Sequence, residues 1–310
     1  MCWSLSGLNP CLVTRAEFAC CSCKRVIQQL FVSFNINFEV GFVKSKYFLF
    51  FLNVLLLLSG VANAADQAPT VIRIGATSGP YADQIRYGIQ PLLEKLGYKV
   101  KLVEFSDYVR PNLALSDGEI DANLFQHEIY LKRFAQDHHL NLSEVVKAPT
   151  APIGIYSKRH QRLDEVHAGA TVALPNDVTN QARALGILQQ IGWIKLKPDA
   201  DPTRSSEHDI AVNLKNIKLV PLEAAQMPRA LDDVDYAFVN GAFAIAAGLK
   251  LNQALLLATV PDPFLMLVAV RTADINKQYV QDLRKAFQSP EFKKLVDERF
   301  QGYVRPAYLR

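Results

Sequence analysis

The sequence predicts an α/β protein with a largely parallel sheet organisation, folded as two lobes joined by two crossings of the chain. Two observations predict it. From Val71 onward, short apolar segments of strand type alternate with longer segments of helical period, the pattern of βαβ units. Two Pro-containing stretches, Pro149-Thr-Ala-Pro152 and Val260-Pro-Asp-Pro263, each run straight into an apolar strand. A chain that leaves one lobe, builds a second and returns gives lobe one as 65–150 plus 263–310 and lobe two as 151–262. Such an architecture closes on a ligand, with a few residues at element ends absorbing the motion. The alternative is a single doubly wound domain with Pro-rich loops.

In chain order, Val71–Ala76 reads as a strand, Ala82–Leu96 as an amphipathic helix and Lys99–Phe105 as the next strand. Strands follow at Ile120–Leu124, Ile153–Tyr156, Thr171–Leu174, Lys218–Leu222, Tyr236–Val239 and Phe264–Val270, with helices at Asn180–Ile191 and Lys277–Phe287 among them. No internal repeat or low-complexity tract is visible after residue 65.

Upstream, Lys44-Ser-Lys46, the apolar run Tyr47–Leu58 and Ser59-Gly-Val-Ala-Asn-Ala64 form the basic, apolar and small-residue parts of an export signal over 43–64, with cleavage expected before Ala65. A membrane anchor is the alternative, but a span needs about 20 apolar residues and this run is short and broken by Asn53. Residues 1–42 precede the basic region and are expected to be a non-native extension, with Val43 the initiator. All five cysteines lie at or before residue 23, so the exported chain has none, as suits an oxidising periplasm. Cys20-Cys21-x-Cys23 has no nearby His and no second pair, so no metal site is read there. The net charge of +4, with no Lys/Arg run longer than two, does not support a nucleic-acid footprint.

Three segments carry candidate chemistry. Phe105–Asn112 and Asp121–Leu131 follow or end predicted strands, the sheet edge where α/β proteins bind ligands, so Tyr108, Phe125, His127 and Tyr130 could form one pocket wall. Equally, Phe125 and Tyr130 could be core and His127 a satisfied loop residue. Leu174–Arg183 ends a strand and starts a helix through the capping types Asp177, Thr179 and Asn180; its free N–H groups and the fork of Arg183 could hold a carboxylate, unless this is an ordinary cap with a solvated arginine. Asn240 ends an apolar strand before a helix, where turn chemistry alone would also explain it. No nucleophile elbow, phosphate loop or zinc-protease motif is present, so no catalytic residue and no cofactor is implied.

Four blocks in order, Asp107-Tyr-Val-x-Pro-Asn112, Asp121-Ala-Asn-x-Phe-Gln-His-x-x-Tyr-Leu131, Pro175-Asn-Asp-x-Thr-Asn-x-x-Arg183 and Leu222-Glu-Ala-x-Gln-x-Pro-Arg229, resemble the signature segments of the MetQ/NlpA substrate-binding lipoproteins. The resemblance runs from about Ile72 to Phe300. It implies a type II periplasmic-binding-protein fold and a monomer that delivers methionine or a related compound to an inner-membrane ABC permease and its ATPase. By the same resemblance Tyr108, Phe125, His127 and Tyr130 surround the ligand side chain, Arg183 holds its carboxylate, and Asn180 and Asn240 bond its polar head. The chain departs from the family twice. No lipobox cysteine follows the apolar run, which predicts a soluble periplasmic protein. The family's Ser-Pro-Tyr-Val-Asn block corresponds to Asp262-Pro-Phe-Leu-Met266, which puts a thioether at a polar contact and points away from free methionine. A periplasmic enzyme or a receptor-coupled sensor on the same fold are the competing functions.

Overall fold

The computed structural model describes residues 70–310; the export signal and the extension over 1–42 lie outside the described residues. The strands are β1 (Val71–Thr77), β2 (Lys99–Phe105), β3 (Ala122–His127), β4 (Leu142–Ala148), β5 (Gly154–Tyr156) and β6 (Thr171–Pro175). They continue as β7 (Lys195–Leu196), β8 (Ile210–Val212), β9 (Lys218–Leu222), β10 (Tyr236–Val239), β11 (Leu256–Leu257) and β12 (Met266–Arg271). Two five-stranded sheets result, ordered β2-β1-β3-β12-β4 and β11-β5-β10-β6-β9. The fold is thus two-lobed α/β, with helices packed on both sheets.

Neither sheet is largely parallel, and that expectation is corrected. Only β2-β1-β3 and β10-β6-β9 run parallel. β12 lies antiparallel to both β3 and β4, and β5 lies antiparallel to both β10 and β11. A parallel neighbour needs a crossover of a dozen or more residues, usually through a helix. β12 re-enters the first sheet between β3 and β4 only after the chain has built the second, through a short 3₁₀ turn at Asp262–Phe264, so its direction follows from where the chain returns and not from a βαβ unit. β4 was not anticipated: of Leu142–Ala148 only Val145, Val146 and Ala148 are buried, too few for a strand signal.

The first helix, α1, has three segments, Pro80–Asp83, a π-wound Gln84–Ile89 and Gln90–Lys95. Pro91 explains the wide turn: it has no N–H to give to the carbonyl four residues back, and its ring crowds that carbonyl. The Gln90 N–H reaches Ile85, five residues back. The remaining helices are α2 (Arg110–Ser116), α3 (Glu128–Asp137), α4 (Val178–Gln190), α5 (Met227–Ala230), α6 (Gly241–Ala246), α7 (Gln278–Phe287) and α8 (Pro290–Arg299). Ile72, Ile74, Leu124, Val268, Phe287 and Phe292 centre one core; Ile155, Val172, Leu174, Leu185, Trp193 and Phe238 centre another.

The strand and helix ends decide the site. β3 runs on to His127, three residues beyond the expected end, and His127 is also the N-cap of α3. The strand therefore turns into the helix with no intervening loop, fixing the ring of His127 from both sides. α4 starts after Asp177, whose carboxylate accepts from the Asn180 backbone N–H at 3.0 Å and caps the helix. α6 follows β10 with only Asn240 between them.

Candidate functional site

A cavity lies where the end of β3 and the starts of β12 and α3 face the starts of α4 and α6. Tyr108, Phe125, His127 and Tyr130 line it together with Gln126 and Met266; Asn180 and Asn240 close it. Seven of the eight expected site residues are thus brought together. The free volume inside is about 10 Å³, room for about one water, so the walls are drawn together and a solute fits only when they part. Across the cleft the Tyr108 ring lies 5.1 Å from Phe243 at the other side.

The aromatic wall is tightly built. Phe125 lies 5.8 Å from Tyr130 edge to face and 5.9 Å from Tyr108, and the Tyr130 hydroxyl donates to the Tyr108 carbonyl at 2.8 Å. Behind it, Asn112 and Gln126 exchange two amide hydrogen bonds of 2.7 Å, and Asn123 donates to Asn112 at 3.0 Å. Gln126 was not singled out from the sequence. Its amide is consumed by this buried network, so it shapes the cavity floor and offers a ligand little polarity.

His127 is 2% exposed. Its Nδ1 accepts from the Tyr130 backbone N–H at 3.1 Å. Burial, reinforced by the positive charge of Arg183, pushes its pKa down to about 3, so the ring is neutral near pH 7. A neutral imidazole with an accepting Nδ1 carries its proton on Nε2. That Nε2 is buried with no partner, so it is a donor awaiting an acceptor.

The opposite polarity faces it. Asp177, an acceptor, takes a hydrogen bond from the Asn180 Nδ2 shared between its two carboxylate oxygens, at 3.0 and 3.1 Å. The Asn180 Oδ1 must then turn toward Asn240 and accepts from its Nδ2 at 3.1 Å. The Asn240 Oδ1 is left buried and unpartnered, an acceptor awaiting a donor. Asn180 is held through both its nitrogen and its oxygen, and it orients Asn240. Burial raises the Asp177 pKa while the Asn180 and Thr179 bonds oppose that rise.

Arg183 stands apart from the other seven. Its guanidinium lies 4.3 Å over the Phe264 ring and donates to the Thr259 carbonyl at 3.2 Å. Phe264 in turn sits 5.1 Å from His127, so the cation is one ring removed from the cavity lining. Burial lowers its pKa to about 10, and no carboxylate among the described residues pairs with it. Phe264 had been expected as the first residue of a strand; it is the last of the 3₁₀ turn instead, which frees its ring to lie between Arg183 and His127. Met266 then starts β12, its N–H donating to the Thr150 hydroxyl of the first crossing at 2.7 Å. Its thioether contributes an apolar patch beside His127.

A pH signature follows from His127. The unfolded chain takes up a proton near the ordinary value of 6.5 that the native ring refuses until about 3. Stability from this residue is full above 6.5 and is lost as pH falls toward 3. Denaturant melts should show wild type losing stability between about pH 6.5 and 5, above the range where ordinary carboxylates titrate, and His127→Gln losing less. Equal slopes for the two proteins would refute a neutral buried ring.

The sequence profile of the NlpA lipoprotein family matches residues 72–308. The chain belongs to the NlpA lipoprotein family. A relative from Vibrio cholerae, described as a probable D-methionine-binding lipoprotein MetQ, is 37% identical over 248 residues, 80% of this chain and 91% of that protein. A nutrient-binding protein from Burkholderia cenocepacia, solved bound to methionine, is 40% identical with a TM-score of 0.71, covering 74% of this chain and 97% of its own. A periplasmic substrate-binding protein of an ABC transporter from Coxiella burnetii is 37% identical with a TM-score of 0.71, covering 76% and 100%. The two-lobe fold of this NlpA-family chain is therefore that of periplasmic substrate-binding proteins, and these relatives are binding proteins by description. The description of the family and of the Vibrio cholerae relative as lipoproteins runs against the expectation of a protein free in solution. Among the described residues no helix is long and apolar enough to cross a membrane.

Proposed function

We propose that this chain is the substrate-binding component of an ABC importer and takes methionine or a closely related amino-acid or sulfur compound. One observation carries the reading: a buried donor (His127 Nε2) and a buried acceptor (Asn240 Oδ1) line a small aromatic-walled cavity, and the unpaired, half-buried cation of Arg183 stands one ring away behind Phe264. An α-amino acid supplies the complement, with a carboxylate for the cation and the imidazole donor, an ammonium for the amide oxygen, and an apolar tail for Tyr108 and Phe125. The named relatives make methionine the first ligand to test. The lobes, on this reading, are 65–150 with 263–310 and 151–262; they close through the two Pro-containing crossings and hand the ligand to a permease driven by its ATPase. Segment 43–64 directs export, and protein recovered from the periplasm should begin at Ala65, which N-terminal sequencing reads. Native mass spectrometry of protein purified without refolding, followed by calorimetry with L- and D-methionine, tests the ligand. A cleft that holds no amino-acid or sulfur compound and gives no heat with either enantiomer refutes it.

Met266 sets the specificity on this reading. The thioether accepts hydrogen bonds only weakly, where an amide would both donate and accept. A polar ligand group left unpaired against it costs about 1–3 kcal/mol. Met266→Asn is expected to improve L-methionine binding by about ten- to a hundredfold, while ligands more apolar at that contact, such as N-acyl or peptide-linked methionine, gain nothing. Nanomolar binding of L-methionine by wild type, unimproved by the substitution, would return the cleft to ordinary methionine specificity.

A further inference from the structure

β10 has the cavity acceptor Asn240 at its carboxyl end and a second polar cluster at its amino end. There His160, His167 and Asp235 each bring one ligand atom within 4.8 Å of the others. We propose that these three residues form a binding site for a zinc-type divalent transition-metal ion, separate from the cleft. Asn240 is five positions on from Asp235, about 16 Å at the rise of a strand, so the two sites share an element and no ligand.

The groups are oriented as metal ligands are. The Asp235 Oδ2 accepts from the Thr171 N–H at 2.7 Å and its hydroxyl at 2.8 Å, which fixes the carboxylate. Its Oδ1 faces the His160 Nε2 at 3.5 Å. Zinc bonds of about 2.0–2.2 Å in tetrahedral geometry put neighbouring ligand atoms about 3.3–3.6 Å apart, so a shared ion needs almost no movement of this pair. The His160 Nε2 is buried and without a hydrogen-bond partner. Its ring is stacked on Tyr236, centroids 4.8 Å apart at 11°. On the far side the His160 Nδ1 lies 3.5 Å from a Glu165 carboxylate oxygen. A carboxylate on the second ring nitrogen is the usual support of a metal-bound histidine and holds the lone pair at Nε2.

His167, 5.9 Å from His160 ring to ring, has its Nδ1 3.1 Å from the Ala168 carbonyl. A carbonyl only accepts, so that nitrogen carries the proton and Nε2 keeps the lone pair. Two imidazoles and one carboxylate select zinc-type ions over calcium or magnesium, which take oxygen ligands. The competing cation is Arg159, whose Nη1 lies 3.4 Å from Asp235 and whose Nη2 holds the Asp232 carbonyl. Its side chain is 45% exposed, and exposed pairs of this kind are worth at most about 1 kcal/mol, so an ion displaces it. Bound there, the ion clips the 157–170 segment to the start of β10.

The test is chelator-stripped full-length exported protein titrated with zinc chloride in calorimetry, and with cobalt chloride read by visible absorption. Wild type should take one equivalent at micromolar affinity and show the intense visible bands of tetrahedral cobalt. The surface variant His167→Gln should bind zinc at least about tenfold more weakly and lose the bands, while keeping wild-type affinity for the cleft ligand. His160→Gln should do the same. Absence of saturable zinc binding below millimolar overturns the proposal. So does equal titration of wild type and His167→Gln, which would place the metal on another pair such as the adjacent His138 and His139.

Discussion

Arg183→Ala should abolish tight ligand binding and leave the protein folded. Removing one partner of a largely buried charge pair costs about 2–5 kcal/mol, or roughly 30- to several-thousand-fold in affinity. In the ligand-free protein the same cation is a burden, since burial pulls its pKa down to about 10 and only the Thr259 carbonyl and the Phe264 ring answer it. The free variant should therefore melt at or above the wild-type temperature, and the rise that saturating ligand gives wild type, about 2.7 kcal/mol at a hundredfold excess over Kd, should vanish. Lysine should rescue only partly, because it brings the charge without the fork. Calorimetry that finds Arg183→Ala within threefold of wild type would show that the carboxylate is held elsewhere, with His127 Nε2 the first alternative.

Gly241→Ala should damage stability and binding together. A Cβ there would stand 2.5 Å from the Pro152 carbonyl oxygen and 2.6 Å from the Ala151 Cβ. These neighbours belong to the first crossing, and backbone cannot step aside as a flexible side chain can. Overpacking of this kind costs about 1–3 kcal/mol, sometimes more. Gly241 also follows Asn240 directly, so relief of the clash moves the cavity acceptor. A fall in Tm accompanied by weaker ligand binding is expected. A variant that melts and binds like wild type would show that α6 does not press on the crossing.

Much of this was legible in the chain. Thr171–Leu174, Lys218–Leu222 and Tyr236–Val239 lie within one residue of the strands observed, because each is a short apolar run with a turn at both ends. The pocket wall was legible for a related reason: Tyr108, Phe125, His127 and Tyr130 sit where strands end, and the strand end is where an α/β sheet leaves side chains uncommitted. β4 and the antiparallel placement of β12 were not, since pairing partners are set by where the chain returns in space.

By itself the sequence determined the α/β class and the two crossings and offered residues that the fold gathers around one cavity, all of which are local properties of period, proline and strand-end polarity. Only the tertiary structure decided the roles. The sequence offers Asn180 as a ligand contact; the fold adds that Asp177 holds its nitrogen and that its oxygen orients Asn240. His127 became a fixed donor because a backbone N–H from the next helix took its Nδ1. The site at His160, His167 and Asp235 had no sequence signal, since its members are 7 and 68 residues apart along the chain. Hydrogen-bond polarity and charge pairing are settled by which groups meet across the fold, and spacing along the chain carries no record of those meetings.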